Sequence, residues 1–409
     1  MLYRIRQILI YLIIILGGGA ALAIGAISFL FGEGRGFPDR SSDPILPEGT
    51  LELVLESDQP LGNVVVGPGE RVFFTLNPAA DPEGGKLFEW VDGQPVPFPA
   101  VEQQDALLDT PLGLDFDSDG HLWVIDPARH GWGQARLLEF DIETGEVLFS
   151  FDIPRTAAPR GSFLQDLAIS PDGDWVYIAD AGTYSRRPAI VVVETAVKRA
   201  HRMLESHATV LAQDFLIRNQ IRSMSWYRGY VSMKQGVNGI AMSDDGAWLY
   251  YAAMNHEAVH RVPPAILHNP NIDIIPISVE IQTVSGKPLS DGIEVDAQGN
   301  VYIADIEHQA IHRHNPLLGR ETLIKDSRIR WADQLDLGPD GALYITDSAL
   351  PEVVWQSAGN HRAAAPYRVW KFTPPKTPEP APIPGSAETI VEEPPEPEKI
   401  PAPVVLELE

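Results

Sequence analysis

Asp166, Asn238 and Asp291 occupy one and the same place in three copies of a repeated phrase, each just ahead of a short apolar strand. Asn63 and Asp333 hold that place in two more copies, and Leu112 breaks the series. Carboxylates and amides gathered in this way supply oxygen donors for a hard cation or a polar ligand. Two carboxylates forced together also share a proton, so that one acts as a general acid or base. A second set, Asp126, Asp180, Asp305 and Asp347, ends the following strand, with Glu307 and His308 beside Asp305. These either join the same opening or hydrogen-bond nearby loop N–H groups. Trp331, two residues before Asp333, is positioned to stack on an aromatic ligand. The expected ligand-binding set is Asp166, Asn238, Asp291, Asp305, His308, Trp331 and Asp333. Of these, Asp166, Asn238 and Asp291 are the metal-ligand candidates for Ca²⁺ or Zn²⁺, and Asp291 is the side chain expected to matter most for catalysis.

Other chemistries fall away. The chain has no cysteine, which removes thiolate catalysis, Cys-bound zinc, iron–sulfur clusters and disulfides. No G-x-S-x-G, phosphate-binding Gly loop or dinucleotide fingerprint is present. Asp115-Phe116-Asp117-Ser118-Asp119-Gly120 followed by Asp126 fits a calcium loop, but Leu122 and Val124 alternate as a strand inside it. The same turn recurs as Ser170-Pro171-Asp172-Gly173 without the ligands, so a hairpin turn is the reading. Asp and Glu number 56 against 31 Lys and Arg, a net charge of −25 that repels a phosphate backbone and argues against nucleic-acid binding.

The elements that must place these residues are legible as a repeat. Leu112-Gly113-Leu114-Asp115-Phe116 through Leu122-Trp123-Val124-Ile125-Asp126 is the clearest copy, and five others have turn glycines at 69, 173, 246, 299 and 341. Each copy is a short apolar strand, a tight turn and a second strand; with further strands such as Leu137–Phe140 it makes a four-stranded blade. Six copies predict an all-β, six-bladed β-propeller over residues 50–372. The strand around Leu51–Leu55 precedes the first copy and is expected to complete the sixth blade, closing the ring. In such a ring the starts of the inner strands surround one end of the axial channel.

The two ends read differently. Ile8 to Phe31 carries no charge, and as a helix would reach about 36 Å, enough for a hydrocarbon layer of about 30 Å. Arg4 and Arg6 before it predict an uncleaved transmembrane anchor at residues 1–32 and a linker at 33–49. That would be a single pass of the inner membrane, with the propeller in the periplasm or outside the cell. Residues 373–409 hold eleven prolines and eight glutamates among few large apolar residues, the composition of a disordered tail that spaces or contacts a partner.

Several stretches carry more than a generic propeller pattern: Gly161-Ser162-Phe163-Leu164-Gln165-Asp166, Ser290-Asp291-Gly292-Ile293, Ala304-Asp305-Ile306-Glu307-His308-Gln309 and Trp331-Ala332-Asp333. With Val91-Asp92-Gly93-Gln94-Pro95, they resemble the major royal jelly/yellow protein family over about residues 60 to 372. The resemblance implies a secreted six-bladed fold with a small-molecule site at the axial mouth; bacterial relatives are called dopachrome tautomerase-like. A more distant likeness is to the gluconolactonase/regucalcin group, which implies a divalent metal on the axis held by Asp166, Asn238 and Asp291. Gly62-Asn63 stands where that group has its first-blade Glu. The leading expectation is a membrane-anchored propeller that binds a small polar or aromatic molecule. The alternatives are a divalent-metal-dependent lactonase or esterase, or an interaction scaffold; as an enzyme the chain is expected to be such a hydrolase or tautomerase-like.

Overall fold

The computed structural model describes residues 2–32 and 34–377, with the side chains of residues 2–10, 12–14 and 30 left out. Six four-stranded antiparallel sheets form a β-propeller. From the axis outward, blade one is Leu61–Val66, Val72–Leu76, Leu87–Val91 and Gln94–Pro97. Blade two is Leu114–Phe116, Leu122–Asp126, Arg136–Phe140 and Val147–Asp152, and blade three Leu164–Ile169, Trp175–Asp180, Ala189–Glu194 and Arg199–Met203. Blade four is Val237–Met242, Leu249–Ala253, Ala258–Val262 and Gln282–Gly286; blade five is Ile293–Val295, Val301–Asp305, Ala310–Asn315 and Gly319–Lys325. Blade six is Ala332–Leu337, Leu343–Asp347 and Tyr367–Phe372, with Glu52–Ser57 from the start of the fold as its outermost strand. That pairing, Glu52 opposite Lys371 to Ser57 opposite Tyr367, joins the first strand to the last blade.

The apolar core is divided among the wedges between neighbouring blades. Trp123, Ile125 and Leu137 of blade two pack on Leu164, Val176 and Val191 of blade three, and Tyr177 and Val192 of blade three on Ile240 and Tyr251 of blade four. Val259 meets Ile303 between blades four and five, and Ile311 meets Ile345 between five and six. Tyr344 meets Phe74 between six and one, and Phe73 meets Leu138 between one and two. A further cluster lies outside the wedges. Phe215, Ile217, Met224, Met254, Leu289, Ile306, Trp331 and Leu350 form an apolar layer fed by the long connection between blades three and four.

The expectation of a membrane anchor is corrected. Residues Leu2–Phe31 are helical, but among the described residues no helix is long and apolar enough to cross a membrane. The single-pass inner-membrane topology, the periplasmic placement and the membrane as partner lose their basis with it. The last turn of the helix instead meets the propeller, where Ser232 Oγ donates to the carbonyls of Phe31 (3.0 Å) and Gly32 (2.8 Å). Lys376–Glu409 forms a separate unit, and the part of the expected tail beyond residue 377 lies outside the described residues.

Candidate functional site

The inner strands are irregular where the candidate side chains sit. Pairing shifts register between Leu61 and Val64, Leu164 and Asp166, Val237 and Gly239, and Ala332 and Leu335. Each interruption falls at or beside Asn63, Asp166, Asn238 or Asp333. A bulge at the head of a strand re-aims a side chain that regular pleating would point into a wedge. Glycine then lets the strands crowd the axis: a Cβ on Gly239 would stand 2.9 Å from the Asp291 carbonyl oxygen, and one on Gly292 2.5 Å from that of Asp333.

As a result Asn63, Gln165, Asp166, Asn238, Asp291, Asp333 and Gln334 line one small axial pit. Gln165, Asn238, Asp291 and Asp333 also border a cavity of about 720 Å³ above it, so the pit opens through the cavity floor. Within the pit the Asn238 amide Nδ2 donates to Asp291 Oδ1, and Trp331 Nε1 donates to Asp291 Oδ2 at 2.7 Å. Asp166 Oδ1 accepts from the Leu167 N–H at 2.9 Å and from Gln334 Nε2 at 3.4 Å. Two oxygens remain without a partner among the described residues, Asp166 Oδ2 and Asn238 Oδ1, in side chains only 3% and 4% exposed.

Burial sets the protonation of this group. It pushes the Asp166 carboxyl up to about 8 and that of Asp333 up to about 7. Burial, then the nearby Asp333, holds Asp291 well above the usual carboxylate range. Deeper in the channel Asp115, Glu294 and Asp336 repeat the pattern on blades two, five and six. Burial raises all three, and Asp115 and Glu294 also feel Asp336 and Asp166. Such carboxylates stay ionised only with a counter-cation and otherwise take up protons.

The other expected site residues lie elsewhere or act differently. Trp331 is fully buried in the apolar layer, so it presents an N–H to Asp291 and no ring face to the mouth. Asp305 and His308 do not line the axial cavity; they form a separate cluster with Asp39. Asp126 accepts from the N–H groups of Asp109, Thr110 and Ala128, Asp180 from Phe163 and Gly182, and Asp347 from Arg330 and Trp331. These carboxylates tie loops to strand ends. Among the described residues, two clusters of Asp, His and Glu bring ligand atoms within 4.8 Å of one another: Asp39, Asp305 and His308, and Asp117, His121 and Glu139.

The cavity walls carry no repeat signature, so the sequence alone does not single them out. On one side Trp132 stands 5.9 Å from Tyr184, and His130 lies against Phe163 at 6.3 Å. On the other, Trp226 meets Trp355 edge-on at 4.4 Å, and Ile27 and Phe31 of the N-terminal helix complete the wall. The deeper carboxylates do leave a signal. Asp115, Glu294 and Asp336 each follow the mouth residue of their blade by three, flanked on both sides by apolar residues.

No curated protein matches the chain. Among solved structures it resembles a gluconolactonase from Xanthomonas campestris, with a TM-score of 0.53 at 13% identity over 84% of this chain and 98% of that one. A putative gluconolactonase gives a TM-score of 0.50 at 16% identity, covering 80% and 93% of the two chains. At these identities the likeness establishes the propeller fold alone. Residues 110–319, more than half of the sequence, match the family described as Major royal jelly protein, and the chain belongs to that family.

Proposed function

We propose that the axial pit is the active site of a divalent-metal-dependent hydrolase that opens a lactone or an ester. The observation that carries this reading is the pair of buried, unpartnered oxygens, Asp166 Oδ2 and Asn238 Oδ1, next to the Asp291 carboxylate. Leaving such atoms unsatisfied costs about 1–3 kcal/mol each, and more for a charged one, unless something binds there. Two carboxylates and an amide are oxygen donors with neither imidazole nor thiolate among them. They fit a hard ion such as Ca²⁺ better than Zn²⁺.

When bound, such an ion supplies a Lewis acid for the substrate carbonyl and lowers the pKa of a water. The remaining work belongs to the side chains. Trp331 and Asn238 hold Asp291 from both oxygens, which fixes its plane against rotation. Asp333, at the boundary of pit and cavity, exchanges a proton near neutrality and suits a general acid or base. The aromatic walls exclude water from the floor and receive the body of the substrate.

Elemental analysis of purified full-length protein, paired with a hydrolysis assay over lactones and aryl esters, tests the proposal. One calcium ion per chain is expected, lost together with hydrolysis in Asp291→Ala. Wild-type protein that binds no calcium on titration and hydrolyses none of the panel overturns it.

A further inference from the structure

Asp305 lies at the centre of a buried relay outside the cavity lining. Its Oδ2 accepts from His312 Nε2 at 3.1 Å, and His312 Nδ1 in turn meets Thr322 Oγ1 at 3.2 Å. Its other neighbour is His308, with Nδ1 at 3.1 Å from both carboxylate oxygens, and Asp305 Oδ1 also accepts the backbone N–H of Glu307 and of His308 at 3.0 Å. With Nδ1–H committed to Asp305, the neutral imidazole of His308 directs the lone pair of Nε2 outward, toward Asp39 Oδ1 at 3.7 Å. A carboxylate that orients a histidine so that its far nitrogen faces another donor is the outer-shell arrangement of protein metal sites.

Two observations point to an ion between these donors. The distance of 3.7 Å is too long for a hydrogen bond. It is the separation expected of two atoms that each lie about 2.1 Å from one metal, which stand roughly 3.4 to 4 Å apart. Finally, the ligand atoms of Asp39, Asp305 and His308 all fall within 4.8 Å of one another.

We propose that His308 Nε2 and Asp39, with Asp305 aiming the imidazole from behind, hold a divalent transition metal of the Zn²⁺ class, distinct from any hard ion on the axis. Mixed nitrogen and oxygen donors select this class over Ca²⁺. The ion clamps the segment that leads into the propeller. That segment already crosses blades four and five: Arg40 donates to the carbonyls of Glu257 and Lys287, Ser42 N–H to Thr322 Oγ1, and the Ile45 and Leu46 N–H groups to the carbonyls of Thr322 and Leu323. Thr322 thus ties the segment to the same relay that aims His308.

Calorimetric titration of the full-length chain with zinc chloride, with the melting temperature followed in parallel, tests the site. Zinc is expected to bind the wild type and raise its melting temperature. His308→Ala and Asp39→Asn should each weaken binding by about tenfold or more. Asp39 is half exposed, so its variant keeps the fold even if removing His308 does not. Asp291→Ala and His121→Ala should retain the zinc response. Absence of zinc binding in the wild type overturns the proposal, as does undiminished binding in Asp39→Asn or loss in His121→Ala alone.

Discussion

Asp166 and Asp305 are both buried aspartates from the core of the propeller, yet they exist in opposite states. Burial alone would raise both. For Asp166 nothing positive compensates, and its carboxyl goes up to about 8. For Asp305 hydrogen bonds from His308 and His312 outweigh burial and hold the carboxyl well below its usual range, while Asp305 in turn raises His308. Partners, and not depth, decide which buried acid is ionised. Saturated with donors, Asp305 organises what surrounds it. The axial carboxylates are short of donors, which is the condition for receiving an ion or a proton.

Removing the centre of the under-satisfied group should have the largest effect. Asp291→Ala is expected to lower kcat/KM for ester or lactone hydrolysis on the order of 10³-fold or more, because several kcal/mol of charge stabilisation in the transition state disappear. Steady-state kinetics on a metal-replete sample measures it. The melting temperature of metal-free protein should fall as well, since the buried Trp331 N–H and Asn238 amide lose their acceptor.

Asp305→Asn should act chiefly on stability. It removes the charge that two imidazoles share and turns one of the two acceptor oxygens into an N–H₂ donor, and is expected to destabilise the fold by about 3–5 kcal/mol, read from urea unfolding. The sign of the pH dependence follows from the lowered carboxyl. Asp305 stabilises the native state above the unfolded value near 4, and that contribution fades as pH falls toward its folded value. Acid unfolding of Asp305→Asn should therefore lack the steep limb of the wild type.

Asp336 sharpens the contrast from within the channel. Its Oδ2 accepts the Val66 N–H at 2.8 Å, linking blades six and one, but burial still pushes the carboxyl up to about 7. A raised acid favours the native state below its unfolded value near 4 and loses that advantage as pH rises through 7. Metal-free wild type should lose stability between pH 4 and 7, by about 4 kcal/mol from this residue. Asp336→Asn should flatten the profile. An unchanged slope in the variant would place the titrating group elsewhere.

The ring itself is legible in the sequence because it is made of local signals: strand, turn glycine and strand, six times over, with the closing strand at Leu51–Leu55 visible from its alternation. The convergence of Asp166, Asn238, Asp291 and Asp333 follows from their shared place in the repeat. What escapes depends on pieces without repeat character. Trp331 has the position of a ligand platform, but the connection between blades three and four supplies Phe215, Ile217 and Met224, which bury its ring. Asp305 has the position of a mouth residue. Its neighbours in space include His312, four residues beyond His308, and Asp39, which precedes the whole propeller. The helical apolar segment at the start has the composition of an anchor, yet among the described residues no helix is long and apolar enough to cross a membrane.

Trp331→Phe makes the smallest change and isolates what orientation contributes. It deletes one N–H and leaves most of the apolar volume in the layer that packs around it. Asp291 then keeps the Asn238 amide on Oδ1 but has nothing to hold Oδ2, so its plane can turn and its carboxyl rises further. The expected outcome is a stability loss of about 1–2 kcal/mol and a divalent-ion affinity roughly 10-fold weaker, with substrate KM little altered when the ion is saturating. Calcium titration by calorimetry, read against kinetics at high calcium, separates these effects. If Trp331 only fills space, affinity for the ion stays at the wild-type level while stability falls. If it fixes Asp291, the affinity drops and high calcium restores the rate.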